Sequence, residues 1–446
     1  MKRSSLLLMS VMLLLSMFLA ACGNNSGTKT PAAEGESPKP AAETPKEEEK
    51  AKEVSLRVFS TFGGTDAARE AFQGALDEFT AKYPNVKIDN DVMSANDDGF
   101  RTKVNTDMNS GNEPDLLFYF IGTDAEGFVN AGKVVPMNEI LDANPDWKNG
   151  FIPDALELAR QKDGNIYAAP LTGFYEGLFV NKKIFEENGL ELPTDWEKLK
   201  TAVKTLSKKG IIPISAPFDQ SHYLIEHTIL AAAGPEGQNK GLLDGIEPNW
   251  EKAYSGMKEL YDLGAFPKDA ATIDLGMAGN YYSEGLAAMV LEGSWAIGGW
   301  SDAVKDNSTV IPFPAIPGGA GSGNDIVGGF GTGFYVSKAA YDNADKKEMT
   351  VELLKHLTSP ASIQKIAAAN GGTPAAEVEV TGLPQVALDG FAMAQKAASI
   401  SAPVDSKVSQ ETFSNLRASV QPVVTGEKTP TQAIEEAKKT EDANKK

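Results

Sequence analysis

From Val54 the chain alternates apolar and polar positions, with Val54, Leu56 and Val58 recurring at the period of a half-buried strand. After the loop "TFGGTDA", Ala68, Phe72, Leu76, Phe79 and Tyr83 recur near one helical face as far as Pro84. "VKIDNDV" predicts a second strand, and Phe100, Val104 and Met108 form a second helical stripe that ends at Gly111. "PDLLFYFI" is apolar almost throughout, as expected of a strand in a parallel sheet covered on both faces. The order strand, helix, strand, helix, strand predicts an α/β fold with a doubly wound sheet.

Farther along, "DGNIYAAP" and "GLFVN" predict strands, and "LPTDWEKLKTAVKTL" predicts a helix with Thr194 and Glu197 spaced as a capping box. Trp196 lies in its first turn, where local packing is expected. "IIPISAP" reads as a strand, "HYLIEHTILAAAG" as a helix, and "NWEKAYSGMKELYDLGAF" as an amphipathic helix with Asn249 as its cap. Near 308 the composition shifts to "TVIPFPAIPGG" and a glycine-rich stretch, followed by the strand "GTGFYVS" and the helices "KKEMTVELLKHLTSP" and "ASIQKIAAANGG". The part from Val54 onward is long for one core, so two domains are expected. In such folds ligands sit beyond the carboxyl ends of strands, which directs attention to "TFGGTDA", "YFIGTDA", "LTGFYEG", "APFDQSH" and "GSWAIGG".

The N-terminus changes the compartment expected. Lys2 and Arg3 precede an apolar run from Leu6 to Ala21, short for a membrane span but suited to a secretory signal. Cys22 follows "LAA" and is the only cysteine, so the fold has no internal disulfide to stabilise it. Residues 23–53 lack Val, Ile, Leu, Met and aromatics, as expected of a flexible tether. A formal net charge of −19 without a long basic cluster argues against nucleic-acid binding.

The tools of catalysis are scarce. No phosphate loop ending in Lys-Ser/Thr is present, and "GWSDA" lacks the second glycine of a nucleophile elbow. His222 and His227 are five residues apart and do not share a helical face for a metal; the third histidine, His356, lies inside a predicted helix. "DANPDWKNGFIP" begins like a calcium loop but has Trp147 and Pro153 where glycine and glutamate belong. No cofactor or metal is expected. With 61 acidic residues a pair of catalytic carboxylates stays open, so a surface-anchored glycan hydrolase or lyase is the alternative.

A set of ordered motifs carries a resemblance over nearly the whole chain: "LAAC", "FTAKYPNVKI", "MNSGNEPDLLF", "AGKVVPMNEI", "KDGNIYAAPLTG", "LFVNKKIFEENGLELPTDWEKL", "YYSEGLAAMVLEGSWAIGG" and "LLKHLTSPASIQKIAAANGGTP". The chain resembles the extracellular solute-binding lipoproteins of bacterial ABC importers, in the sugar-binding family 1. The resemblance implies a two-lobed periplasmic-binding-protein-like fold (type II) with a ligand cleft between discontinuous lobes. It implies a signal peptide at 1–21, a lipidated (palmitate-bearing) Cys22 leading the tether 22–53, one lobe of 54–172 and 308–370, and another of 173–307 and 371–446. The protein would be a monomer anchored at the outer face of the cytoplasmic membrane. It would close on a carbohydrate, an oligosaccharide by its aromatics, and deliver it unaltered to permease subunits.

Site residues are implied by the same resemblance. The tryptophan of "GSW" meets ligand in the family, which singles out Trp295, with the neighbouring glycines letting backbone approach the sugar. The alternative for Trp295 is a core ring, and Trp300 is expected to pack. After the first strand come Phe62, Gly63, Gly64, Thr65 and Asp66, of which Asp66 serves either the ligand or the cap of the next helix. One of Tyr119 and Phe120 faces the cleft, the other a core, and Thr123 lies in the loop after them. Phe174, Tyr175 and Glu176 lie at a lobe crossing, Asp219, Gln220 and His222 come after "IIPISAP", and Gly328 and Gly329 lie near a third crossing. Asp97 and Asp98 either join the site or only cap the helix through Phe100.

Overall fold

The computed structural model describes residues 52–444 apart from 65, 96–98 and 162, and the side chain of Thr123 is outside the description. The expected signal peptide, Cys22 and nearly all of the tether therefore lie outside the described residues, as do Thr65, Asp97 and Asp98. The described strands are β1 (Val54–Ser60), β2 (Val86–Val92), β3 (Leu116–Phe120), β4 (Ala168–Pro170), β5 (Thr172–Asn181), β6 (Ile212–Ser215), β7 (Ala287–Gly293), β8 (Ser308–Ile311), β9 (Asp325–Gly329), β10 (Thr332–Val336), β11 (Thr373–Pro374) and β12 (Ser399–Ser401).

They form two sheets. The first has the order β2-β1-β3-β10-β4, and the second has the path β12-β9-β5-β7-β6 with β8 and β11 also paired to β5. In the first sheet β1 runs parallel to β2 and β3, while β10 inserts antiparallel between β3 and β4. The sheet is mixed, so the parallel expectation holds only for its first half.

Strand alternation explains the apolar run in β3. Leu116 and Phe118 face a core shared with Val54, Leu56, Val58, Phe72 and Phe79, while Leu117 and Tyr119 face the opposite layer with Phe59, Phe100 and Tyr335. Both faces are covered, and each residue of the strand is selected to be apolar. The helix Arg69–Lys82 buries Phe72, Ala75, Leu76 and Phe79, and the helix Phe100–Ser110 buries Phe100, Val104 and Met108, matching the predicted stripes.

The second sheet carries its own cores. Leu178 and Val180 of β5 pack with Trp196, Leu199, Trp250 and Met257, whereas Tyr175 and Phe179 pack on the other face with Tyr282 and Trp300. The helix from Trp196 is capped by Asp195, whose carboxylate accepts from Lys198 N at 2.9 Å; Thr194 is not the cap. Asn249 is already inside its helix and donates to Glu247 Oε1 at 2.7 Å. Trp300 packs edge-on against Phe179 at 5.1 Å and lies 5.2 Å from Tyr282, a core ring as expected.

The chain passes between the sheets more than once. It leaves the first sheet between β4 and β5, returns between β9 and β10, and comes back to β5 at β11. Residues 308–329 thus belong to the second sheet, where β8 pairs with Leu178–Asn181 and β9 with Phe174 and Tyr175. The return to the first sheet lies near 330, not at 308 as expected: the composition shift at 308 marks a loop-rich excursion within one layer, not a change of lobe.

Candidate functional site

Trp295 sits in a 3-10 turn, Ser294–Gly299, that succeeds β7 at the edge of the second lobe. Its ring folds back over Gly293, where an added Cβ would lie 2.2 Å from the nearest ring carbon. The indole Nε1 donates to Glu292 Oε1 at 2.8 Å, and the ring centroid lies 5.5 Å from Phe174 and 5.9 Å from Tyr223. The ring is half-buried, flanked by two other aromatics. The glycines around it have a different task from the one expected. Gly293 makes room for the indole itself. A Cβ at Gly298 would come within 2.3 Å of both Ala369 O and Ala67 Cβ, so Gly298 lets the Trp295 turn meet the first lobe.

Beneath these rings lies a buried group of acids. Glu176 and Glu226 are 2 % and 3 % exposed, and neither Oε2 has a hydrogen-bond partner. Burial pushes Glu226 up to about 8. It raises Glu176 well above the usual carboxyl range, with Glu226 as the next cause. Glu292 is pushed up to about 7 by burial, against the donors Gly293 N and Trp295 Nε1. His227 is buried, with Nδ1 2.8 Å from the Tyr223 carbonyl and Nε2 unpartnered, and burial pushes it down to about 4. A low-permittivity site disfavours each charged form, which favours a neutral His227 ring and a proton held on the Glu176–Glu226 pair.

The two lobes are joined across this site by a charged bridge. Arg101, on the helix packed under the first sheet, donates to Asp124 at 3.1 and 3.2 Å and to Asp405 Oδ2 at 3.0 Å. Asp405 lies on the short helix Val404–Lys407, whose Val404 belongs to the second lobe's core. Gln410 reaches Asp124 from the same side at 2.5 Å. The guanidinium also covers the Phe120 ring, 4.6 Å from its centroid. Burial works against the charge of Arg101, but Asp124 and then Asp405 outweigh it and hold the guanidinium protonated. Such charge-assisted bonds are short and directional, and they tie the Arg101 helix under the first sheet to the Val404–Lys407 turn of the second core.

The predicted residues divide into several groups. Phe174, Glu176 and Trp295 come together in this site, and Phe120 lies at its first-lobe side under Arg101. Tyr119 is a core ring among Phe100, Phe120 and Phe128. Phe62 differs from expectation: it is buried between Phe72 and Phe118, each 4.7 Å away. Tyr175 differs too, because alternation along β5 turns it to the face opposite Glu176, where its hydroxyl donates to the Ala387 carbonyl at 3.3 Å.

Gly63 abuts Val92, and Gly64 has φ +57° with its carbonyl accepting from Arg69. Asp66 accepts from Ala68 N at 2.8 Å, a turn just ahead of the helix Arg69–Lys82, whose N-cap is Ala68 and carries no side-chain cap bond. Gly328 lies against the Phe174 carbonyl, and Gly329 has φ +119° and pairs with Phe174 across the sheet; both serve the crossing. Asp219 is exposed, and Gln220 accepts from Leu275 N at 3.0 Å. His222 lies 3.1 Å from an Arg417 nitrogen and is pushed down to about 3, first by burial and then by that cation.

Sequence reasoning missed Tyr223, Glu226 and Glu292, and the bridge Arg101–Asp124–Asp405. Glu226 carried a readable signal, an acid inside the apolar helical run "YLIEHTILAAA", and Glu292 another in "AAMVLEG". The bridge carried none, since Arg101 and Asp405 are 304 positions apart.

Comparison with known proteins agrees with this architecture. An uncharacterized ABC transporter extracellular-binding protein of Pyrococcus horikoshii is 24% identical over 363 residues, covering 78% of this chain and 76% of that one. A probable sugar-binding periplasmic protein of Brucella suis is 22% identical over 348 residues, covering 75% and 77%. The solved structure of a chitin oligosaccharide binding protein superposes with a TM-score of 0.79 at 24% identity, covering 88% of this chain and 98% of that one, a likeness of fold. The family described as bacterial extracellular solute-binding protein matches residues 64–364. With two sheets, repeated crossings and a match over most of its length, the chain belongs to the bacterial extracellular solute-binding protein family.

Proposed function

We propose that this chain is the lipid-anchored substrate-binding component of an ABC importer, which closes on a carbohydrate, an oligosaccharide, and hands it unaltered to membrane permease subunits. The observation that carries the reading is the half-buried Trp295 between Phe174 and Tyr223, next to buried carboxyls and beside the place where the lobes meet. A pyranose offers a C–H face to such rings and a rim of hydroxyls to such acids. The relative named as a sugar-binding periplasmic protein and the chitin oligosaccharide binding protein of like fold support the same class.

In this reading one lobe comprises about 54–171 and 332–378 and the other about 172–330 and 379–444, a division that the sheet order and the packing of Ala375 and Ala376 on the first core support. The ligand set comprises Phe120, Phe174, Glu176, Tyr223, Glu226, Glu292 and Trp295. The anchor is Cys22 behind the apolar run Leu6–Ala21, and acyl labelling that disappears in Cys22→Ser tests it. The function is tested by thermal melts of the purified protein with mono- and oligosaccharides. A ligand present at 100 times its Kd adds about 2.7 kcal/mol, a shift easily measured. Failure of every sugar to raise Tm would contradict the reading.

A further inference from the structure

The charge of the shut cleft narrows the choice of carbohydrate, given the sugar-binding function proposed above. Glu176 comes from β5 and Glu226 from the helix His222–Lys240; their carboxyls adjoin within hydrogen-bond reach of one another, both are almost wholly buried, and no donor from another residue reaches the Oε2 of either. His227 gives them no counter-charge: its Nδ1 is held by the Tyr223 carbonyl and stands 3.9 Å from Glu176 Oε2. Glu292 and Asp405 are near enough for Glu176 to feel their charges.

The cations that act on this group are Arg101, bonded to Asp124 and Asp405, and Arg417, bonded to His222. The Lys407 backbone carbonyl lies against Gly241, at the far end of the helix that carries Glu226, and its ammonium is not among the charges that shift Glu176 or Glu226. Among the described residues, acids therefore outnumber cations at the centre of the cleft.

A neutral sugar hydroxyl donates one hydrogen bond to a carboxylate but brings no charge. A protonated amine brings three donors and one positive charge, and the faces of Trp295, Tyr223 and Phe174 also favour a cation. We infer that the cleft takes a sugar bearing a protonated amino group, seated between Glu176 and Glu226 and flanked by the Trp295 cluster. The unliganded pair relieves its repulsion by retaining a proton; the ammonium takes that proton's place.

The test is calorimetric titration of the full purified protein at neutral pH with three β-1,4-linked tetrasaccharides: the glucosamine tetramer, its N-acetylated counterpart and cellotetraose. They share a backbone and differ only at C2. The amine is expected to bind at least about tenfold more tightly than either neutral tetramer. Glu176→Gln and Glu226→Gln, which keep shape and remove charge, are expected to abolish most of that advantage while unliganded Tm holds or rises. The wild-type comparison decides the matter even if a variant fails to fold. Neutral tetramers that bind as tightly as the amine overturn this inference and leave the carbohydrate reading standing. If neither these tetramers nor any sugar of the wider screen binds, the carbohydrate reading falls, and this inference with it.

Discussion

Trp295 donates its indole N–H to Glu292, three residues earlier in the chain, at 2.8 Å, and its ring occupies the space that a side chain at position 293 would need. The half-buried ring is therefore held by a hydrogen bond, a glycine and two aromatic neighbours, and it packs against the margin of the second lobe's core.

Trp295→Ala is expected to weaken oligosaccharide binding at least about tenfold, or about 1.4 kcal/mol, with a small loss of unliganded stability. Trp295→Phe, which keeps a stacking face and loses the donor to Glu292, is expected to fall between the two. Calorimetry and thermal melts on the same preparations check both; collapse of unliganded Trp295→Ala would assign the ring to the core.

Trp300 gives the opposite pattern. It is buried against Phe179 and Tyr282, and Trp300→Ala is expected to cost about 3–5 kcal/mol of stability through lost packing and a cavity. Where the variant still folds, denaturant titration should show the loss and calorimetry a binding constant little changed.

Gly298 sits where the Trp295 turn meets Ala67 and Ala369. Gly298→Val has no room in the shut arrangement, yet each lobe's core is untouched. The variant is expected to keep its Tm, lose at least about tenfold in affinity, and show no ligand-induced fall in radius of gyration by small-angle scattering. Normal compaction with ligand would show that the contact is dispensable.

The bridge residue Arg101 makes a related prediction. Arg101→Met leaves Asp124 and Asp405 without their shared guanidinium, and the shut form loses charge-assisted bonds worth about 1.5–3 kcal/mol each. Affinity is expected to drop mainly through faster dissociation, measured by stopped-flow release.

Buried acids set the pH dependence of stability. Burial pushes Glu226 up to about 8 and Glu292 up to about 7, so above pH 6.5 the folded chain keeps protons that the unfolded chain has released. Stability is then expected to fall as pH rises from 6.5 to 8.5. Below 6.5 the buried neutral His222 and His227 act in the opposite sense, because only the unfolded chain protonates them, which is why the upper window is the informative one. Thermal melts across that window read the slope, and Glu226→Gln should reduce it; a Tm that climbs over the same range would contradict this assignment of buried protons.

Much of the fold was legible because strand and helix periods leave direct marks. Leu56 and Val58, or Phe72 and Phe79, are apolar for reasons local to one element's face. The antiparallel insertion of β10 between β3 and β4 was not legible, since pairing order depends on contacts distant in sequence. The same limit hid the bridge from Arg101 to Asp405. Within the candidate site, alternation along "FYE" lets Phe174 and Glu176 share a face and sends Tyr175 to the other. Glu226 was visible as an acid in an apolar helix, but its meaning depended on finding Glu176 beside it.

The central claim, that two lobes shut on a carbohydrate without altering it, is met most directly by isothermal titration of the purified protein with oligosaccharides. Saturable one-to-one heats are expected for at least one sugar. Heat that continues at constant rate after each injection, the signature of turnover, or no heat with any sugar, would contradict the claim.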